Sequence, residues 1–478
     1  MVFTSLNFLL SFPLIAIVYY ITPVKFRWLT LLIASYFFYI NIKPVFALLV
    51  SGVTLSTYIF TRLIDNANTG SRKRTFMVIN ILLILLPLFF FKYFTTINNG
   101  IFTLLESHNI RWPLPEIKLL LPIGISFYTF MAIGYTVDVY NEELKSEKNI
   151  SIIALFLSFF PLILSGPIER AKNMIPQFKI HPKLDFTVVT QGMKLMLWGY
   201  FMKLVVADRI GIYVDAVYGN ISQHNGTSLL LASILYPIQL YADFGGYSLI
   251  AIGTAKVLGI NVMQNFKRPL FSTSMSEFWR RWHISLISWL TDYIYTPLSF
   301  AYRRFKVWGI VFAIMITFLI SGIWHGATFT FIVWGLIQGL FLSIEALTNK
   351  KRALIETKYF LNKKIWFIAL SCSVTFLLFS ASLVFSRAKD MSDALLIYSK
   401  IFSGIFQLPY RDGYTMLYSF IGFCILFLKE FRDEFYPEKF LLFENKNIII
   451  RWLSYYFVIF LILYLGVFGQ ERFIYFQF

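Results

Sequence analysis

Two histidines of this chain stand among apolar residues, where an ionisable side chain is costly. His325 lies in the segment SGIWHGAT and is the one strongly titratable residue of the uncharged run Val307–Ile344. His283 lies in the segment SMSEFWRRWHIS. A neutral imidazole, with an unperturbed pKa of about 6.5, can take a proton from a hydroxyl near neutral pH. Each of the two histidines is therefore a functional candidate. For His325, the structural alternative is a histidine bonded to a neighbouring carbonyl.

One carboxylate also interrupts an apolar segment. Asp243 stands in the segment YADFGGY, shortly before two glycines. It is a candidate functional residue for the same reason as the histidines, and the structural alternative is a kinked helix in which Asp243 pairs with an arginine. The remaining histidines lie in polar stretches, where a surface position explains them: His108, His181 and His224.

The residues around His283 have a helical pattern. Ser274 followed by Glu277 is a capping box, which predicts that a helix begins there, and Pro297 is expected to end it. A rotation of about 100° per residue places His283 on the apolar side of this helix, so that it points into protein or lipid. An interfacial helix, anchored at the lipid headgroups by its tryptophans and arginines, is the alternative.

The residues around His325 predict a hairpin. As a helix at about 1.5 Å per residue, the run Val307–Ile344 is about 57 Å long, roughly two crossings of a 30 Å hydrocarbon core. We expect it to break near His325, where Gly322 and Gly326 permit irregular backbone or close approach. Basic clusters on both sides predict that both ends are cytoplasmic: Arg303, Arg304 and Lys306 before the run, and Lys350, Lys351, Arg352, Lys358, Lys363 and Lys364 after it.

The composition indicates what surrounds these residues. Of 478 residues, 58% are hydrophobic, 19% aromatic and 14% charged, against about 45–50% apolar and about 25% charged in soluble domains. This excludes a cytosolic enzyme, a disordered chain and, with only two cysteines, a secreted disulfide scaffold. The net charge of +18 does not indicate nucleic-acid binding, because the basic residues lie between long uncharged runs, as membrane orientation requires.

The uncharged runs predict an all-α, polytopic membrane protein with about eleven transmembrane helices plus interfacial or re-entrant helices. The first run, Met1–Val24, is expected to be a transmembrane helix and not a signal peptide, because no Lys or Arg precedes its apolar stretch. Without a linker or an internal repeat, residues 1–478 are expected to form a single domain. Metal-binding, nucleotide-binding and serine-hydrolase motifs are missing from the sequence, so we predict neither a metal nor a bound cofactor.

Two motifs, FWRRWHISL at Phe278–Leu286 and SGIWHGA at Ser321–Ala327, resemble in this order the signature of the membrane-bound O-acyltransferase (MBOAT) family. The chain is most similar to the bacterial branch that contains alginate and peptidoglycan O-acetyltransferases. The resemblance covers nearly the whole chain and includes residues 121–128, 165–168, 207–209, 243–244 and 473–478. The sequence has Met131, Leu249 and Gln338 where that branch commonly has Gln, Asp and His.

The resemblance implies His325 as the principal catalytic residue and His283 as the second. It also implies a central tunnel that connects a cytoplasmic acyl donor, such as acetyl-coenzyme A as a substrate, to an outer acceptor. His283, Trp282 and nearby donors are then expected to position the acyl group or to stabilise the developing oxyanion. Trp324 and Ser321 of the second motif, with Asp243, are further candidates for binding the substrate or donor. Arg280 and Arg281 are candidates for a donor phosphate, and lipid-facing anchors are their alternative.

Further expectations concern location, partners and competing functions. The resemblance implies a multi-pass protein of the bacterial cytoplasmic (inner) membrane, surrounded by lipid. It also implies that the protein passes its acyl group to a separate extracytoplasmic transferase. The acceptor is then a polysaccharide of the alginate or peptidoglycan type, which becomes O-acetylated. D-Alanyl transfer to teichoic acid is an alternative within the family. A glycan or lipid flippase without acyl chemistry is an alternative from another class, because many helices with a polar path would suit that too.

Overall fold

A computed structural model of the protein describes residues 3–110, 114, 122–163, 166–180, 183–360, 364–404, 407–410, 413–439 and 441–469. Its regular elements within these ranges are helices, as predicted. His181 and the segment 473–478 lie outside the described residues, as do Leu121 and Ser165 of the family segments. Backbone proximity divides the chain into two units, residues 1–193 with 251–263 and residues 194–250 with 264–478. The expectation of a single domain stays a prediction.

The first unit is built from the N-terminal helices. Polar side chains join three of them, because the buried Asn80 donates to Thr136 Oγ1 over 2.8 Å and accepts from the half-buried Ser56 Oγ over 2.8 Å. Its helices are α1 (Leu6–Ile21), α2 (Arg27–Ile42), α3 (Pro44–Asp65), α4 (Gly70–Leu88), α5 (Thr95–Glu106), α6 (Ile125–Tyr140), α7 (Ile150–Ser158), α8 (Phe160–Ile163) and α9 (Ala171–Ile180). The π-helical segment Phe89–Phe94 joins α4 to α5.

Two helices belong partly to each unit, and the second unit contains the histidine motifs. The shared helices are α10 (Phe186–Tyr200) and, after α11 (Asp208–Gly219), α12 (Gly226–Val257). The others are α13 (Met275–Arg281), α14 (Ile284–Leu290), α15 (Thr296–Ala301), α16 (Val307–His325), α17 (Phe329–Lys358), α18 (Ile365–Arg387), α19 (Met391–Gly404), α20 (Gly413–Phe435) and α21 (Ile448–Leu465).

Eight helices of the described chain are long and apolar enough to cross a membrane. They are Pro44–Asp65, Gly70–Glu106, Gly226–Val257, Val307–His325, Phe329–Lys358, Ile365–Arg387, Gly413–Phe435 and Ile448–Leu465. The sequence predicts about eleven, because it counts every uncharged run. Some runs form shorter helices instead: α1 and α6 have 16 residues each, and the non-helical residue Phe159 separates α7 from α8.

The predicted hairpin around His325 is confirmed. Helix α16 ends at His325 and α17 begins at Phe329, so the uncharged run breaks at the expected place. The two helices approach closely at Gly322 and Gly335, since a Cβ atom on Gly322 would lie 2.5 Å from the Phe331 carbonyl oxygen and 3.1 Å from Gly335 Cα. A larger residue at either glycine would push the helices apart. Close packing of α16 on α17 therefore fixes where His325 lies.

Candidate functional site

The backbone breaks directly at His283. Helix α13 ends at Arg281, Trp282 is extended, and His283 has a left-handed backbone with φ of +47° before α14 begins. The single helix predicted from Ser274 to Pro297 is therefore wrong. A left-handed conformation costs a non-glycine residue of order 1–3 kcal/mol and persists where its surroundings hold it, commonly at functional sites.

The segment around Asn265 holds this break in place. The Ile284 N–H donates to the Asn265 carbonyl oxygen over 2.9 Å, and the Ser285 hydroxyl donates to Asn265 Oδ1 over 2.9 Å. On the other side of the break, the Lys267 N–H donates to the Arg281 carbonyl oxygen over 2.8 Å. Asn265 is fully buried. The sequence gives no local signal for this role, because the donors that Asn265 serves are distant in the chain.

The start of α13 matches the prediction, and the end of α14 does not. Ser274 Oγ accepts from the Glu277 N–H over 3.1 Å, so the predicted cap is present. A second anchor comes from α17, where Glu345 accepts from the Met275 and Ser276 N–H groups over 2.7 and 2.9 Å. Pro297 does not end the helix. The chain continues from α14 through a π-helical segment, Thr291–Tyr295, into α15.

The structure brings the two histidines together. The ring centres of His283 and His325 lie 6.5 Å apart, which is beyond a direct hydrogen bond between their nitrogens. Trp324 stacks near His283, at 6.0 Å and 23°, and meets His325 edge-on at 4.6 Å. The Phe244 ring lies 4.8 Å from His283 on another side. The two imidazoles therefore lie where both can act on one small group.

The two rings differ in exposure and hence in chemistry. His283 is 1% exposed, and burial lowers its pKa to about 3, so its imidazole is neutral at physiological pH. It points into protein, one of the two surroundings that the sequence predicts. His325 is only half-buried at the hairpin tip and is more accessible to a reacting group.

Trp282 lies in an aromatic cluster. Its ring centre lies 5.3 Å from Phe278, 5.2 Å from Phe379 and 5.1 Å from Phe266. Tyr241 of α12 is 6.1 Å away, and its hydroxyl donates to the buried carboxylate of Glu430. Trp282 thus packs among aromatic rings next to the backbone break, and its role at the acyl group stays a prediction.

Asp243 has a different partner from the one expected. Its carboxylate lies 2.6 Å from Lys203 Nζ, which also bonds Asp208 over 2.7 Å, and all three side chains are buried. The partner found here is therefore a lysine, where the structural alternative expected an arginine. Helix α12 is continuous through this point, and Gly246 lies so close to α10 that a Cβ atom there would be 2.8 Å from the Gly199 carbonyl oxygen.

Lys203 is a residue that the sequence interpretation overlooked. It is the one charged residue between Leu195 and Ala207, and a lone charge in an apolar run is a signal that could have identified it. It lies in a π-helical segment, Phe201–Ala207, that connects α10 to α11. Through Asp243 it anchors the turn of α12 that carries Phe244 against His283.

The remaining candidates are Arg280, Arg281, Ser321 and Trp324. Arg281 pairs with Glu277 over 2.6 Å and with Glu434 over 2.9 Å, and Glu434 also binds Arg268 over 2.6 Å, so the Arg281 charge is balanced within the protein. Arg280 is exposed. Ser321 is buried one helical turn before His325, and its hydroxyl has no hydrogen-bond partner among the described residues. Trp324 is buried beside both histidines, as its motif position suggests.

These features define a polytopic, all-helical membrane protein whose two buried or half-buried histidines meet at the tip of a helical hairpin. The sequence model of the MBOAT, membrane-bound O-acyltransferase family matches residues 136–382, a range that includes both histidine motifs. The chain belongs to this family, and it is an O-acyltransferase.

Named relatives support the same branch. The chain is 35% identical over 411 residues to a probable alginate O-acetylase of Pseudomonas aeruginosa, covering 85% of this chain and 76% of that protein. It is 31% identical to a peptidoglycan O-acetyltransferase of Helicobacter pylori, with 78% and 73% coverage. A teichoic acid D-alanyltransferase of Streptococcus thermophilus is 30% identical over 48% of this chain and 59% of that protein.

Proposed function

We propose that this O-acyltransferase passes an acetyl group from a cytoplasmic donor, such as acetyl-coenzyme A, across the membrane for O-acetylation of a cell-envelope or extracellular polysaccharide. The observation that carries the proposal is the 6.5 Å approach of His283 and His325 beside Trp324 at the hairpin tip. The alginate and peptidoglycan O-acetylating relatives support the acetyl group and the class of acceptor.

In the proposed reaction, His325 is the general base. It takes the proton of the attacking hydroxyl as the oxygen bonds to the carbonyl carbon of the thioester, and it returns that proton to the sulfur when the carbon–sulfur bond breaks. Such proton transfer contributes about 10²–10⁴-fold to the rate. His283, held neutral by burial, orients the acyl group by hydrogen bonding.

The direction of transfer follows from the charges of the loops. The basic clusters on both sides of the hairpin support cytoplasmic ends and a tip that lies deep in the membrane or toward the outer face of the proposed bacterial inner membrane. We propose that the donor approaches from the cytoplasm, where the exposed Arg280 is available for a phosphate. A separate extracytoplasmic transferase then receives the acetyl group and modifies the glycan.

The two alternatives have weaker support. D-Alanyl transfer is represented by a relative that aligns with 48% of this chain, against 85% for the alginate relative. A flippase needs no acid–base pair, and it leaves the meeting of two histidines unexplained. Acetyl transfer is consistent with the greater coverage of the alginate relative, and it gives the two histidines a chemical role.

The test measures transfer of radiolabel from [1-¹⁴C]acetyl-coenzyme A into alkali-labile esters of envelope polysaccharide, using membranes that contain the full chain and its native envelope. His325→Ala should lower transfer by at least about 100-fold. His108→Ala, which changes an exposed histidine, is the matched control and should retain activity. Full transfer by His325→Ala would overturn the proposal, and label supplied only by a D-alanyl donor would favour the alternative within the family.

A further inference from the structure

Trp334 of α17 contacts the half-buried histidine from a side that neither sequence motif supplies. Its ring centre lies 5.0 Å from that of His325, at 87°, and the tryptophan is 4% exposed. An indole N–H is a hydrogen-bond donor and never an acceptor. Among the residues that the structure describes, none accepts a hydrogen bond from Trp334 Nε1, although this atom is buried.

A second tryptophan in the same cluster shows the contrast. The Trp279 ring lies 6.0 Å from Trp334 and is equally buried, but its indole N–H donates to Gln338 Oε1 over 3.2 Å. Gln338 in turn donates to Ser382 over 2.6 Å. Burying a donor without an acceptor is unfavourable. The protein thus provides an acceptor for Trp279 and leaves the Trp334 donor available beside His325.

Packing keeps Trp334 in this position. The next residue, Gly335, lies against α16 so closely that a Cβ atom on it would be 2.4 Å from the Phe318 carbonyl oxygen. The indole therefore has little room to turn toward another acceptor, and the fixed geometry suits a donor that must act without rearrangement.

We propose that the Trp334 indole N–H donates a hydrogen bond to the carbonyl oxygen of the acyl group during transfer. This inference rests on the proposed function. When the acceptor oxygen bonds to the carbonyl carbon and its proton passes to His325, negative charge develops on the carbonyl oxygen. Trp334 stabilises that charge until the carbon–sulfur bond breaks and the thiolate takes the proton. Trp334 is in this sense a further catalytic residue, neutral at every working pH.

The test compares Trp334→Phe with Trp279→Phe in the full chain. Both substitutions remove a buried indole from one aromatic cluster, but the Trp279 donor already has a protein acceptor. In the acetyl-transfer assay with [1-¹⁴C]acetyl-coenzyme A, Trp334→Phe should lower kcat by about 100-fold with KM nearly unchanged. Trp279→Phe should show a similar loss of thermal stability without that drop in kcat.

A site-specific analogue separates the donor from the ring. Incorporation of β-(3-benzothienyl)alanine at position 334 keeps a bicyclic ring of similar size and replaces the N–H by sulfur. The inference predicts the same loss of kcat as in Trp334→Phe, with thermal stability close to wild type. A kcat within about twofold of wild type for this analogue would overturn the inference while the proposed function stands. A wild-type protein that transfers no acetyl group would instead overturn the proposed function, and the inference with it.

Discussion

His283 and His325 belong to different helical segments, yet their ring centres lie 6.5 Å apart with Trp324 against both. One ring is buried at a left-handed backbone position, and the other ends a membrane-length helix. This relationship divides the chemistry between a neutral, fixed imidazole and an accessible one.

The two histidines should act as one unit. We expect His283→Asn and His325→Ala each to lower acetyl transfer by at least about 100-fold, and the double variant to be little worse than the more damaged single one. Asparagine is chosen at position 283 because it tolerates a left-handed backbone. Initial rates of wild type, the two single variants and the double variant test this. If the fold-loss of the double variant equalled the product of the two single losses, the residues would act independently.

The ion cluster of Lys203 with Asp208 and Asp243 should be essential for stability. Lys203→Met removes the cation that the two buried carboxylates share, and removal of one partner from a buried pair costs about 3–5 kcal/mol. The thermal midpoint in detergent should therefore fall sharply. Adding Asp208→Asn and Asp243→Asn to Lys203→Met should restore much of it. A single variant as stable as wild type would contradict the structural role of the cluster.

Close packing of the hairpin should control the position of His325. Gly322→Ala places a methyl group 2.5 Å from the Phe331 carbonyl oxygen, so α16 and α17 must separate. We expect a loss of about 1–3 kcal/mol in stability and a marked fall in kcat. Gly52→Ala in α3 is the control, because nothing lies within 4 Å of its added Cβ atom, and it should stabilise the helix slightly. Equal behaviour of the two variants would refute this role for Gly322.

Burial of His283 predicts a pH dependence of stability with a defined sign. Its pKa is about 3 in the folded protein and about 6.5 when unfolded, so below about pH 6.5 the unfolded chain binds the extra proton. The free energy of unfolding should fall by about 1.4 kcal/mol for each pH unit below this value, as far as about pH 3. Thermal midpoints between pH 5 and pH 8 should show this loss in wild type relative to His283→Asn. If the thermal midpoints of the two proteins changed in parallel with pH, this effect of His283 on stability would be excluded.

Much of the architecture, and the half of the site around His325, follow from the sequence alone. The uncharged runs identify an all-helical membrane protein, and the length of Val307–Ile344 against the thickness of a bilayer locates the break at His325. Both motifs, read in order, indicate the acyltransferase family. These properties depend on residue type and spacing along the chain, which the sequence states directly.

Only the tertiary structure decides how the half of the site around His283 is built. The capping box at Ser274 correctly starts a helix, but helical periodicity extends that helix through His283, where the backbone bonds of Asn265 stop it. The partner of Asp243 is Lys203 and not an arginine, and Trp334 reaches His325 from a helix outside both motifs. Periodicity assigns a residue to a helix face but does not determine which distant face packs against it, because that choice depends on the fit and hydrogen bonding of the whole fold.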